Sequence, residues 1–307
     1  MKGNEETIWV VNVPVATVWT TPDSPRDLDL PGIGNPVNLD EWLSRLTYEP
    51  RLALSNDNLV QSQLLYGEQV LLEEVKGDWA HVIIPTQPSK KDKRGYLGWV
   101  PLVQLSQVSK DEWVGTGIAV VTNNQAMLMG ERKEGKHKVS FLTYLPLVNM
   151  IENLVKVVTP EGTGYFKKED VTLYDSVGDI PKGTGSEIVN TGKRFLGLDY
   201  FWGGMSSFGY DCSGFSYNML KAHGYQIPRD ASDQVNTGME VPLNELQTGD
   251  LLFFAYENGK GSVHHVGIYC GDGKMIHSPN TGKTVEITTL SGTIYEKELC
   301  AARRYWE

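Results

Sequence analysis

Asp211-Cys212-Ser213-Gly214-Phe215-Ser216-Tyr217-Asn218-Met219-Leu220-Lys221-Ala222-His223-Gly224 is the stretch that decides how the carboxy-terminal part folds. Phe215, Met219, Leu220 and Ala222 recur at helical spacing, which predicts a helix over 212–223. Asp211 suits its N-cap, and Gly224 suits the left-handed residue past its end. Cys212 then lies in the first turn, where the positive end of the helix dipole favours a thiolate. A second helix is predicted over 187–198 from Ile188, Phe195 and Leu196. Strands are expected at 250–254, 263–270, 274–277, 284–287 and 299–305. Helices first and antiparallel strands after is an α+β order.

A cysteine nucleophile needs a base, and the base needs a polar group to hold its tautomer. In His264-His265-Val266-Gly267-Ile268-Tyr269 the period of two sends the histidines to opposite faces. His277 follows on the next strand, across Gly271-Asp272-Gly273, and can face His265 over a hairpin. Cys212, His265 and His277 therefore fit nucleophile, base and orienting group. The same side chains are zinc-ligand types, which keeps a metal site as an alternative. His264 is expected on the other strand face and His223 at the helix end, complementing the dipole. Cys270 and Cys300 read as core.

Upstream, to about residue 175, the chain is a series of short β runs. Gln69-Val70-Leu71-Leu72-Glu73-Glu74-Val75 and Trp79-Ala80-His81-Val82-Ile83-Ile84 are joined by the hairpin turn Lys76-Gly77-Asp78. This spacing argues for small barrels. The sequence Gly95-Tyr96-Leu97-Gly98-Trp99-Val100 has an echo in Gly164-Tyr165-Phe166, which suggests two copies of one barrel type. Residues 19–47, with Pro22, Pro25, Pro31 and Pro36, are expected as a long surface loop of the first barrel, with a short helix around 38–47. Gly178-Asp179-Ile180-Pro181-Lys182-Gly183 is a turn-rich break. The expected domains are 1–108, 109–178 and 179–307.

The chain has 307 residues, 40% of them hydrophobic, enough to bury real cores and to exclude a disordered chain. Its formal charge of −10 argues against nucleic acid and anionic surfaces, which reward basic excess. No run approaches the ~18 apolar residues of a membrane span. Met1-Lys2-Gly3-Asn4-Glu5-Glu6 has no apolar run behind it, so no leader is expected in the chain as given, and either a cytoplasmic protein or one whose export signal is removed is consistent. Three cysteines cannot all pair, and no CxxC is present, so neither a disulfide framework nor a zinc ribbon is expected.

Asp211-Cys212-Ser213-Gly214-Phe215, preceded by Tyr200-Phe201-Trp202-Gly203-Gly204, resembles the signature of NlpC-type papain-like cell-wall cysteine peptidases. His265-Val266-Gly267-Ile268-Tyr269 and Ile276-His277-Ser278 resemble that family's two histidine segments, and Thr248-Gly249-Asp250-Leu251 one of its strand starts. The likeness covers about 181–307, and the upstream barrels are similar to bacterial SH3-like modules. The implied fold is multidomain: two small all-β SH3-like barrels followed by an α+β papain-like catalytic domain. The layout is similar to the γ-D-glutamyl-L-diamino-acid endopeptidases of murein-peptide recycling. That resemblance implies hydrolysis of the γ-D-Glu–L-diamino acid bond, to L-Lys or meso-diaminopimelate, through an acyl-enzyme and without a cofactor.

The resemblance also assigns roles. Cys212 would be the nucleophile, His265 the base and then acid, and His277 its orienting partner. The Tyr200 hydroxyl would hold the oxyanion with the Cys212 backbone N–H, each such donor contributing ~3 kcal/mol. In Pro228-Arg229-Asp230-Ala231-Ser232-Asp233-Gln234, Asp230 is expected to bind the free ammonium of an amino-terminal L-Ala. Ser232, Asp211, Ser213 and Trp202 are expected beside it. Tyr96 would close the far end of the cleft against glycan-linked stems. The expected partner is a soluble stem peptide bound by a monomer. The competing readings are a non-catalytic wall-binding protein and an amidase or acyltransferase on the same scaffold.

Overall fold

The computed structural model describes residues 6–132 and 134–306; residues 1–5, read above for a leader, lie outside them. Strands Thr7–Val11, Val15–Trp19, Val60–Leu65, Gln69–Lys76, Trp79–Ile84, Tyr96–Pro101 and Leu105–Ser109 form one seven-stranded sheet. A second is built from Gly117–Val121, Gln125–Met129, Gly135–Ser140, Tyr144–Ile151, Leu154–Thr159, Gly162–Lys167 and Val171–Tyr174. Counted in chain order, both run third, second, sixth, fifth, fourth, first, seventh across the sheet. Both also place a 3-10 turn between the sixth and seventh strands, Leu102–Gln104 and Lys168–Asp170. The weak sequence echo thus reflects a shared topology, and these are the two SH3-like sheets.

The chain clusters into two compact units: described residues up to 85 with 97–179, and 86–96 with 180–306. In the first unit, Val10, Tyr66 and Trp113 join the core of the second sheet, against Leu128, Val155 and Phe166. The Tyr66 hydroxyl donates to Glu161 at 2.5 Å.

The expected surface loop at 19–47 is instead a small helical insertion. It contains short turns at Asp27–Asp29 and Leu30–Ile33 and helices Leu39–Arg45 and Tyr48–Asn56. Trp42 is the reason. Its ring is fully buried 6.0 Å from that of Trp19, and its indole N–H donates to buried Asp29 at 2.8 Å. The insertion closes on its own indole instead of running over the surface.

The second unit holds a six-stranded antiparallel sheet and two main helices. We label helices α1 (Gly185–Lys193) and α2 (Cys212–Lys221), and strands β1 (Met239–Glu240), β2 (Leu251–Ala255), β3 (Val263–Gly271), β4 (Lys274–His277), β5 (Glu286–Thr289) and β6 (Leu299–Arg304). The spatial order is β1-β6-β2-β3-β4-β5. Helix α1 begins earlier than predicted because Thr184 and Glu187 form a capping box, and it ends before the turn whose Gly197 has a φ of +86°. Phe215, Met219 and Leu220 of α2 are fully buried.

Two smaller expectations change. His223 lies beyond the end of α2 and bonds Thr191 Oγ1 at 2.9 Å; burial holds its pKa below the usual value, so it carries no charge toward the dipole at neutral pH. Cys270 and Cys300 are half-buried strand residues, not sealed core, with thiols near the Ile268 and Phe253 carbonyls at 3.6 and 3.3 Å.

Candidate active site

Asp211 caps α2 by accepting the Gly214 N–H at 2.6 Å, which makes Cys212 the first helical residue. The turn can pack this tightly because Gly214 has no side chain: a Cβ there would lie 2.1 Å from the Gly204 carbonyl oxygen. The backbone N–H groups of Val266 on β3 and Ser213 on its own helix favour the ionised sulfur. Val266 directly follows His265 in β3.

Strands β3 and β4 pair with Ile268 opposite Ile276. This register puts His265 and His277 on the same face, and His265 Nε2 lies 2.7 Å from His277 Nδ1. Gly267 makes the approach possible, since a Cβ there would meet Met275 sulfur at 2.6 Å and His277 Cβ at 3.3 Å. His277 is fully buried and His265 nearly so. With Nε2 engaged, Nδ1 is the His265 nitrogen left to take a proton. Two imidazoles bonded to each other do not converge on one ion, so the geometry speaks against reading this trio as a zinc site. His264 faces away, stacked on Tyr256 and 3.1 Å from Glu298.

The electrostatics reverse one expectation. The helix dipole suggested a resting thiolate, but burial, reinforced by Asp211, pushes the Cys212 thiol up to about 12 against the help of Val266 N–H, Arg229 and Ser213 N–H. Burial, then His277 and His264, holds His265 well below 6.5. Burial and Lys283 lower His277 to about 3. At neutral pH these shifts favour a neutral thiol and a neutral imidazole pair.

These shifts have a consequence for stability. The unfolded histidines bind protons from the ordinary value of about 6.5 downward, whereas in the fold His277 resists until about 3 and His265 is likewise held well below its ordinary value. The contribution is intact above about pH 6.5 and is lost as pH falls through that window. Thermal melts from about pH 8 to about pH 4 should show declining stability, and His277→Asn should flatten the slope over the acid half.

Tyr200 is buried next to the thiol, with its hydroxyl pKa raised well above 10 first by burial and then by Cys212 and Asp211, so it is a proton donor throughout the working range. Its loop is pinned by Tyr200 N–H to the Lys283 carbonyl at 2.9 Å and Phe201 N–H to Tyr210 at 3.0 Å. Trp202, on the same loop, is 37% exposed.

Asp211 and Ser213, expected against substrate, are spent on another partner. Arg229, 1% exposed, clamps both Asp211 oxygens at 2.7 and 3.2 Å and bonds Ser213 Oγ at 2.9 Å. They support the site through Arg229. Ser232 is likewise turned toward Lys90 and Asp233, at 3.4 and 3.5 Å.

Asp230 occupies the N-cap position of the turn Ala231–Gln234, yet its side chain does not cap it. Both carboxylate oxygens instead accept the Tyr96 hydroxyl at 3.1 Å, and Lys91 Nζ lies 3.6 Å from one of them. Lys91 Nζ also sits 3.0 Å from the Tyr96 oxygen and 4.5 Å from its ring centroid. The 86–96 segment is held here by Arg229 N–H to the Pro88 carbonyl and Lys90 N–H to Asp233, both 3.0 Å, and by Tyr217 to the Thr86 carbonyl. Sequence reasoning assigned no role to Arg229 or Lys91. An arginine directly before a candidate anionic binder, and a lysine run in the loop preceding Tyr96, were the available signals.

The NlpC/P60 family model matches residues 197–304, and that of the YKFC SH3b2 domain matches 121–174. The chain is 49% identical over 291 residues to the gamma-D-glutamyl-L-lysine dipeptidyl-peptidase of Bacillus subtilis, covering 94% of this chain and 96% of that protein. It is 43% identical over 301 residues to the Bacillus cereus protein of the same name, covering 96% and 90%. A crystal structure of an NlpC/P60 family protein from Bacillus cereus superposes with a TM-score of 0.93 at 41% identity, over 98% of this chain and 100% of that one.

Proposed function

From the premise that the chain belongs to the NlpC/P60 family of cysteine peptidases, we propose that it hydrolyses the γ-D-Glu–L-Lys bond of peptidoglycan stem peptides with a free amino-terminal L-Ala, releasing L-Ala-γ-D-Glu. The curated relatives carry that bond in their names. In this chain the reading is supported by one observation: the Asp230 carboxylate, which accepts from Tyr96, already has the ammonium of Lys91 3.6 Å away, in the same unit as Cys212, His265 and His277.

Hydrolysis would proceed through an acyl-enzyme in two stages. The L-Ala ammonium binds Asp230, and the γ-carbonyl of D-Glu comes to the sulfur. As Sγ attacks the carbonyl carbon, its proton passes to His265 Nδ1, while Nε2 donates to His277. The oxyanion is held by the Cys212 N–H, which has no partner within the helix, and by the Tyr200 hydroxyl. His265 returns the proton to the α-nitrogen of lysine, the C–N bond breaks, and a γ-glutamyl thioester remains. Water then attacks it, giving its proton to His265, and the thiol is restored as the dipeptide leaves. A purely wall-binding role would leave this assembly unused.

Mass spectrometry of products from L-Ala-γ-D-Glu-L-Lys tests the proposal. Free lysine and L-Ala-γ-D-Glu are expected; an intact γ-bond, or a cut elsewhere, overturns it. Lys91 adds a second check. Substrate must displace its ammonium from Asp230, so Lys91→Ala should lower KM about two- to fivefold with kcat unchanged, the range of an exposed ion pair. A raised KM would mean that Lys91 helps to hold substrate.

A further inference from the structure

The hydrogen-bond chain does not end at the third member of the triad. His277 Nε2 lies 3.0 Å from Thr288 Oγ1, and the Thr288 hydroxyl is 3.2 Å from Glu286 Oε1. Glu286 Oε1 is itself 3.8 Å from His277 Nε2. Both residues belong to β5, two apart and so on one face, and His277 pairs directly with Glu286 in the β4–β5 register. We propose that Thr288 and Glu286 are positioning residues that fix the tautomers of both histidines and tie the catalytic base to a carboxylate. This deepens the peptidase reading and rests on it.

The argument is one of donors and acceptors. For His265 to take the thiol proton on Nδ1, its resting proton must be on Nε2. That N–H then donates to His277 Nδ1, which forces the His277 proton onto Nε2. The Nε2–H donates to Thr288 Oγ1, and the threonine hydrogen is left to donate to Glu286. Every bond points the same way and the chain ends on an anion. Were Thr288 an apolar residue, the His277 tautomer would no longer be specified, and the wrong one would present two N–H groups to each other. When His265 gains the thiol proton, the displaced charge is felt along the chain and favoured by Glu286.

Other charged groups act on the pair: His264, on the same strand though turned away, lowers His265, and Lys283, before β5, lowers His277. The Tyr295 ring meets His265 and His277 at 5.5 and 5.1 Å, and its own hydroxyl is raised to about 12 by burial, Glu286, Cys212 and Glu298. Glu286 is the acidic group on which the chain from His277 through Thr288 ends. It is 41% exposed, so its influence is screened and should weaken with salt.

The test measures kcat/KM against pH on L-Ala-γ-D-Glu-L-Lys for the full chain and for Thr288→Val, Thr288→Ser and Glu286→Gln. The wild-type profile comes first: no cleavage there would overturn the peptidase reading, independently of this proposal. Thr288→Val should lower kcat/KM about tenfold through misplacement of the base, with Thr288→Ser restoring it. Glu286→Gln keeps an acceptor but removes the charge that favours a proton on the histidine pair. It should move the acid limb to lower pH by about half a unit at low salt. If Glu286→Gln leaves the limb where it is, or Thr288→Ser is as impaired as Thr288→Val, the two residues only pack the strand and the proposal is wrong.

Discussion

Cys212→Ala should abolish release of lysine from L-Ala-γ-D-Glu-L-Lys, lowering kcat by about 10⁴-fold or more, the loss typical of removing a nucleophile. Nothing else in the site can form the acyl intermediate. Ser213 is the adjacent hydroxyl, but it is tied to Arg229 and Asp211 at 2.9 and 3.2 Å. The fold should survive the change. Cys212 is a half-buried residue, and the change removes one sulfur atom while leaving the Asp211–Arg229 pair in place. Thermal unfolding within a few degrees of wild type, together with loss of product, would separate chemistry from stability. Activity within tenfold of wild type would sink the nucleophile assignment. The protonation state sharpens this. Because burial keeps the thiol neutral at rest, Cys212 should alkylate slowly in the free enzyme at neutral pH despite sitting at a helix start.

Much of the architecture is readable from local pattern, and what is not readable is long-range. Asp211 and the stripe of Phe215, Met219 and Leu220 place Cys212 at a helix start, because capping and helical spacing are local rules. The meeting of His265 and His277 follows from a short hairpin and strand alternation. The SH3-like pair shows as a faint echo because two sheets can share a topology with little more than a Gly-aromatic turn in common. In contrast, nothing near residues 86–96 announces that they fold with the carboxy-terminal unit; their ties run to Arg229 and Asp233, more than a hundred residues on. The helical insertion depends on one tryptophan finding Asp29. The protonation state of Cys212 is a balance between a local dipole, which sequence reveals, and burial, which only the packed fold reveals.

Acetylating the L-Ala amine should cost about 10- to 150-fold in kcat/KM, the equivalent of the ~1.5–3 kcal/mol of a charge-assisted hydrogen bond. Loss of affinity alone would fit steric exclusion as well, so the discriminating variant is Asp230→Asn. Asparagine still accepts from Tyr96 but offers no charge. If Asp230 reads the ammonium, the variant should be slow on the free amine and nearly indifferent to acetylation, collapsing the ratio of the two rates toward one. If the pocket merely lacks room for an acetyl group, the ratio should persist in Asp230→Asn, and the ammonium reading fails. The cost should fall mainly on KM, since the amine is bound alike before and during the chemical step. High salt should narrow the ratio in wild type, as Asp230 is 27% exposed, and have little effect in the variant. A stem peptide still joined to glycan carries an amide at its first nitrogen, as acetylated substrate does. The same pair of residues would then decide both which bond is cut and that it is cut in a detached peptide, with Arg229 holding Asp211 beside the nucleophile at one end and leading directly to Asp230 at the other.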